Sequence, residues 1–148
     1  MTSPKLMPRL LLIEDNDARI NQFREWLPEN VVLVVAASAG RAIGTLQHSD
    51  PYDYASILLD HDLDQQVVNV DELLFTGSNI VSTLIAKISS EIPVFVHSIN
   101  FNGASNMRRK LEKAGFEVTT CPMTRLTREQ FSVWLQDVLE LWECLQGE

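Results

Sequence analysis

The chain has 148 residues, 45% of them apolar, which is enough for one domain with its own core. Its formal net charge of −8 would repel a polyanion at long range and excludes broad nucleic-acid binding by the whole surface, leaving only a local basic patch open. Its two cysteines, Cys121 and Cys144, lie outside any C-x-x-C spacing, so neither a disulfide framework nor a thiolate zinc site is indicated, and a reducing compartment fits.

The stretch Met1 to Pro8 is too short and too broken by prolines for a signal peptide, and no apolar run approaches the ~20 residues needed to span a bilayer. The expectation is a cytoplasmic protein that does not engage a membrane, with residues 1–7 as a tail and residues 8–148 as a single domain. Along the chain, short apolar runs alternate with amphipathic stretches, the signal for a parallel sheet with crossover helices. Leu10 to Ile13 is continuously apolar, as a central strand covered on both faces should be, and ends abruptly in Glu14-Asp15-Asn16-Asp17. The next helix presents Ile20, Phe23, Trp26 and Leu27 and stops at Pro28; a second strand spans Val31 to Ala36.

Ser38 is placed as the N-cap of a short helix carrying Ala39, Ala42, Ile43 and Leu46. A third strand, Tyr54 to Leu59, ends at Asp60, and a long polar connection, His61 to Phe75, leads to a helix with Ile80, Val81, Leu84, Ile85 and Ile88. The fourth strand, Pro93 to Val96, ends at His97-Ser98. Asn102-Gly103 then leads into a helix with Met107, Leu111 and Ala114 inward, and Gly115 suits its left-handed terminus. A fifth strand, Glu117 to Cys121, ends before Pro122, and Thr127 to Gln130 matches a capping box for the last helix.

In an open parallel sheet the ligand site lies beyond the carboxyl ends of the strands, near the point where strand order reverses. That rule gathers Glu14, Asp15 and Asn16 from the first strand, Asp60, His61 and Asp62 from the third, His97, Ser98 and Asn100 from the fourth, and Cys121 from the fifth. Clustered carboxylates could hold a hard cation such as Mg²⁺, which would offset their repulsion of a phosphate; negative charge at a helix N-terminus also suffices as a cap, the reading given to Asp17.

Leu11-Leu12-Ile13-Glu14-Asp15-Asn16 resembles the acidic-pair motif of response-regulator receiver domains, and Ile57-Leu58-Leu59-Asp60 resembles their phosphoacceptor strand. Ile92 to Ser98 resembles the strand ending in the switch hydroxyl, while Ala114-Gly115 and Cys121-Pro122 stand at the alanine-glycine step and the lysine-proline pair. The resemblance implies a flavodoxin-like, three-layer α/β fold with five parallel strands in order 2-1-3-4-5. It implies that Glu14, Asp15 and Asp60 hold a divalent ion, that Asp60 accepts a phosphoryl group and that Ser98 contacts it. The chain departs from that pattern at Cys121, where the expected lysine is missing, and in carrying His61 and His97 at adjacent strand ends.

Leu59-Asp60-His61-Asp62-Leu63 and His97-Ser98-Ile99-Asn100, with Gly103 and Met107 behind them, resemble a divergent receiver-like family assigned to cyclic-phosphate processing. This second resemblance implies a phosphoesterase acting on a small cyclic phosphate or a 2′,3′-cyclic RNA end, in RNA repair or nucleotide signalling. Two histidines suit such a reaction, one deprotonating water and the other protonating the leaving alkoxide, with Asp60 beside them and with Ser98 and Asn100 holding phosphate oxygens. Side chains alternate along a strand, so a strand that aims Ser98 into the crevice turns His97 away, unless it loosens at the rim; the same parity separates Asp60 from His61. The bland alternative leaves His97 bonded to a loop and His61 exposed.

The rival function is a stand-alone receiver or pseudo-receiver, phosphorylated on Asp60 by a partner such as a histidine kinase or acting through protein contacts alone. His48 sits in a solvent-side loop and receives no role. Arg108, Arg109, Lys110 and Lys113 form the densest positive patch, either steering a phosphate or simply making up a solvated helix face. The last helix has a wide apolar stripe, Phe131, Val133, Trp134, Leu135, Val138, Leu139, Leu141, Trp142 and Leu145, which fits a homodimer contact or a helix set deeply into its own domain.

Overall fold

The computed structural model describes residues 7–60 and 77–146. The elements are β1 (Arg9–Ile13), α1 (Asp17–Trp26), β2 (Val32–Ala36), α2 (Ala39–Gln47), β3 (Ser56–Leu59), α3 (Gly77–Lys87), β4 (Val94–Val96), α4 (Phe101–Lys113), β5 (Val118–Thr120) and α5 (Arg128–Gln146). The strands form one five-stranded sheet in the order β2-β1-β3-β4-β5, every pairing parallel, which is the flavodoxin-like arrangement expected from the resemblance. No helix among the described residues is long and apolar enough to cross a membrane.

The three central strands read as unbroken apolar runs because both of their faces are covered. Leu10, Leu12, Leu58 and Phe95 point to a layer that includes Ile20 and Phe23 of α1 and Phe131, Leu135, Val138 and Trp142 of α5. Leu11, Ile13, Ile57, Leu59, Val94 and Val96 point the other way, to a cluster drawn from α2, α3 and α4. On the α1/α5 side the rings of Phe23, Trp26, Phe95, Phe131 and Trp134 meet in tilted and edge-on contacts, the arrangements favoured by their quadrupoles.

Local signals set most element ends. Pro28 holds Leu27 extended (φ −86°, ψ 138°), so α1 closes at Trp26. Asn16 and Ser38 cap α1 and α2 by accepting from the backbone N–H three residues on. Thr127 and Gln130 exchange the two bonds of a capping box, each 3.1 Å. Strands β2 to β5 are shorter by one or two residues than expected, and α4 starts at Phe101 rather than after Gly103, because Asn100 is its cap and accepts from the Gly103 N–H at 2.9 Å. The connection His61 to Phe75 lies outside the described residues. The apolar stripe of α5 divides, with Phe131, Leu135, Val138 and Trp142 inside while Val133 stays 66% exposed and Leu141 lies on the surface.

The end of α4 is a Schellman turn. Phe116 N–H donates to Leu111 O and Gly115 N–H to Glu112 O, both at 3.0 Å, with Leu111 and Phe116 buried in one cluster and Gly115 at φ +97°. A Cβ at Gly115 would meet Ser90 at an ordinary 3.6 Å, so the cost of substitution lies in the backbone. Gly115→Ala should therefore destabilise by about 1 kcal/mol, and Gly115→Asn by less, because asparagine tolerates the left-handed region. Urea unfolding checks this; equal stability of Gly115→Ala and the parent chain would contradict it.

Candidate functional site

Ile13, Leu59 and Val96 lie level in the sheet, Ile13 paired with Leu59 and Leu59 with Val96. The ladder continues one residue further on each strand: Glu14 N–H donates to Ala36 O (3.2 Å), Asp60 N–H to Ile13 O (3.1 Å) and His97 N–H to Leu59 O (3.1 Å). With period-2 alternation, Glu14, Asp60 and His97 therefore share the face of Leu12, Leu58 and Phe95. The ring of His97 confirms this, meeting Phe23 of α1 edge-on at 5.1 Å.

All three residues are buried, at 0%, 1% and 0% exposure. His97 Nε2 stands 3.1 Å from Glu14 Oε1, and Glu14 Oε2 accepts from the backbone N–H groups of Asp15 (3.0 Å) and Asn16 (3.3 Å). One ligand atom from each of Glu14, Asp60 and His97 lies within 4.8 Å of the other two. Above them, Arg19 in the first turn of α1 brings Nη1 to 3.5 Å from Glu14 Oε1 and 3.8 Å from Asp60 Oδ2.

Burial alone would push the Glu14 carboxyl upward. The hydrogen bond and charge of His97, joined by bonds from Asp60 and the Asn16 backbone, outweigh it and lower the pKa from 4.5 to about 2. Glu14 is thus anionic at neutral pH, which makes Nε2 the donor in its bond to His97. The other ring nitrogen, Nδ1, is buried and has no hydrogen-bond partner among the described residues. Asp15 is raised above its usual 3.8, first by burial and then by the Glu14 charge beside it.

The expected residues separate into groups. Glu14 and Asp60 converge with His97, whereas Asp15 is not part of the converging trio; its backbone serves Glu14 instead. His61 and Asp62 lie outside the described residues. Ser98 points to the opposite side of the sheet from His97, as strand parity requires, and is buried with its Oγ accepting from Asn100 N–H at 3.0 Å. Asn100 uses Oδ1 to cap α4.

Cys121 is partly buried against the α1/α5 cluster, level with the rim, its N–H donating to Val96 O. His48 bonds its own helix through Gly44 O, in keeping with the solvent-side reading. In the basic patch Arg108 is paired with Glu112 at 2.6 Å and Arg109 bonds Asn106. Arg19 was not among the expected site residues. Its signal is positional: it lies one residue from inward-facing Ile20 in the first turn of α1, the turn that a parallel βα unit always sets against the rim.

The two acidic neighbours should respond oppositely to pH. Glu14 has a depressed folded pKa, so its contribution to stability is present above about pH 4.5 and is lost as pH falls toward about 2. Asp15 has a raised one, so its ionisation opposes folding at neutral pH and the penalty disappears on acidification. Glu14→Gln should then destabilise at neutral pH with a penalty that shrinks in acid, while Asp15→Asn should stabilise at neutral pH only. Urea midpoints at neutral pH and near pH ~3 check both, and pH-independent effects would contradict them.

Comparison with known proteins agrees with the fold. A search of curated proteins found no match. The signal receiver domain of an HD domain-containing protein from Pseudomonas fluorescens Pf-5 is similar over 100% of this chain and 98% of that chain, with 12% identity and a TM-score of 0.69. The receiver domain of a sensor histidine kinase from Pseudomonas aeruginosa PAO1, solved with magnesium in its active-site cleft, covers 90% of this chain and 98% of its own, with 18% identity and a TM-score of 0.64. An adenylate cyclase from Rhodopirellula baltica is similar over 96% of this chain and 94% of that one, with 15% identity and a TM-score of 0.64. The family model described as the cyclic-phosphate processing receiver domain matches residues 9–113, from the first residue of β1 to the last of α4. With that match over most of its length and a receiver's strand order beneath it, the chain belongs to the cyclic-phosphate processing receiver domain family.

Proposed function

We propose that this receiver domain hydrolyses a cyclic phosphate ester at the Glu14–Asp60–His97 rim. The observation that carries the reading is the buried Glu14–His97 pair beside Asp60. Transfer of a phosphoryl group to an aspartate needs convergent charge and no imidazole. Opening a cyclic phosphodiester needs proton movement: water oxygen bonds to phosphorus, one P–O bond to the ring oxygen breaks, the water gives up a proton and the leaving alkoxide gains one.

Glu14 holds the His97 ring by its Nε2–H, keeps one tautomer and leaves Nδ1 as the basic nitrogen. Asp60 is the carboxylate of the third strand in the same cluster, with an oxygen within 4.8 Å of a Glu14 oxygen and a His97 nitrogen. Ser98, on the opposite side of the sheet with its Oγ accepting from Asn100 N–H, and Asn100, whose Oδ1 caps α4, stand outside the trio and carry no step of this reading. Two carboxylate oxygens and one imidazole nitrogen also suit a borderline divalent ion such as Mn²⁺ or Zn²⁺ better than they suit Mg²⁺, which favours an all-oxygen set. Bound there, such an ion would offset the carboxylate charge and acidify water.

A second reading is favoured by the place of Asp60, the buried acidic residue at the end of β3 in a receiver fold: phosphorylation at Asp60 by a partner kinase, with output through protein contacts. Incubation with 2′,3′-cyclic nucleotides, with EDTA or with Mn²⁺ or Mg²⁺, separates the two. The hydrolase reading expects a phosphomonoester product by phosphorus NMR and a rate loss of about 10²–10⁴ in His97→Gln, with a comparable loss in Asp60→Asn. No turnover with any ion, or turnover that survives His97→Gln, would sink it. The signalling reading expects acetyl phosphate and Mg²⁺ to label the parent chain but not Asp60→Asn.

A further inference from the structure

We infer that Arg19 is the anion-binding residue of this site and that its guanidinium fork selects a phosphodiester monoanion; the inference rests on the cyclic-phosphate reading above. Glu14, held anionic at the buried rim beside Asp60, places negative charge where a phosphate must approach, so a phosphate can bind only if a cation faces it. Among the described residues Arg19 is the one basic side chain paired with both carboxylates. The residue that follows β5 and stands level with the rim beside His97 is Cys121, where a cationic side chain is lacking.

Arg19 is also held as a binding group rather than a structural one. Asn16 caps α1 by accepting from the Arg19 backbone N–H at 3.1 Å, which fixes the residue in the first turn without using its side chain. The side chain keeps 24% exposure while its neighbours Glu14 and Asp60 have almost none, so it spans from the buried carboxylates to solvent. Its distances of 3.5 Å and 3.8 Å give charge attraction without tight hydrogen bonds. Of the five donors on a guanidinium, none is consumed in a close bond to the described residues.

The geometry of the ligand follows from that of the donor. A guanidinium offers two parallel N–H groups that match two oxygens on one phosphorus, whereas an ammonium is a point charge. A cyclic phosphodiester has two non-bridging oxygens and a single negative charge, so the fork satisfies both oxygens and neutralises the charge. An open phosphomonoester, which gains a third oxygen and further charge on hydrolysis, faces the same carboxylates with only one compensating cation. Arg19 therefore favours substrate over product.

Binding of uridine 2′,3′-cyclic phosphate and of uridine 3′-phosphate, measured by calorimetry in EDTA, tests this, together with KM and kcat for the cyclic ester and far-UV circular dichroism of each variant. Arg19→Gln should weaken cyclic-ester binding by about tenfold to a hundredfold and raise KM more than it lowers kcat. Arg19→Lys should recover part of the affinity but lose the preference for the cyclic ester, and Cys121→Lys added to Arg19→Gln should restore affinity from the other side of the crevice. Arg19→Gln binding within about twofold of the parent overturns the inference, as does a parent chain that binds neither compound. If Arg19→Gln fails to fold, Arg19→Lys decides: an unchanged preference overturns the inference. Arg19-dependent binding without turnover would uphold Arg19 and overturn the hydrolase, whereas turnover with KM unmoved in Arg19→Gln would do the reverse.

Discussion

The register of three adjacent strands carries the site. Because Ile13, Leu59 and Val96 lie level, the next residue on each strand falls in a single layer, and because side chains alternate, all three point to the same face. A slip of one residue in β3 would turn Asp60 toward the α2–α4 side and leave Glu14 and His97 without it. Directly below, Leu58 packs in one hydrophobic cluster and Leu59 in the other, so a slip would also move each side chain out of the cluster that is packed around it. The same register that closes the core thus converges the titratable groups.

Convergence of that kind has an electrostatic cost, and the local structure offsets it in several ways. Glu14 receives two backbone N–H groups at the start of α1, where the helix dipole also favours an anion, and an imidazole at 3.1 Å. Arg19 adds a partly exposed positive charge over Glu14 and Asp60. Asp15 receives little of this, and its raised pKa reflects that imbalance. Two adjacent carboxylates in the sequence therefore have different characters in the fold, one anchored and anionic, the other strained by its neighbour.

Much of the architecture was legible because it rests on local rules. Continuous apolar runs at Leu10 to Ile13 and Ile57 to Leu59 marked strands buried on both faces, and Pro28, Gly115 and the Thr127–Gln130 box marked helix ends that the structure keeps. The start of α4 was misplaced because Asn102-Gly103 is a stronger turn signal than a single asparagine after Ile99, although the cap is Asn100. Alternation correctly set His97 and Ser98 on opposite sides of the sheet. Which of those sides held the carboxylates was not legible, since that depends on pairing between strands far apart in the chain. For the same reason Asp15 was expected to join Glu14 and Asp60 as a ligand with His97 beside them as a catalytic group, whereas the structure converges His97 with the two and leaves Asp15 outside; Arg19 was not singled out at all.

The converging titratable groups of this domain form a layer one residue deep. Beneath Glu14, Asp60 and His97 lies aliphatic and aromatic packing, into which the His97 ring reaches edge-on against Phe23. Such a scaffold is modular in the vertical direction. A side chain at a strand end can be exchanged with less disturbance of the hydrophobic volume than one in the middle of the strand, so the rim can vary while the sheet is kept. Fold and reaction can then diverge at different rates, which is why chains only 12–18% identical to this one still superpose along nearly their whole length.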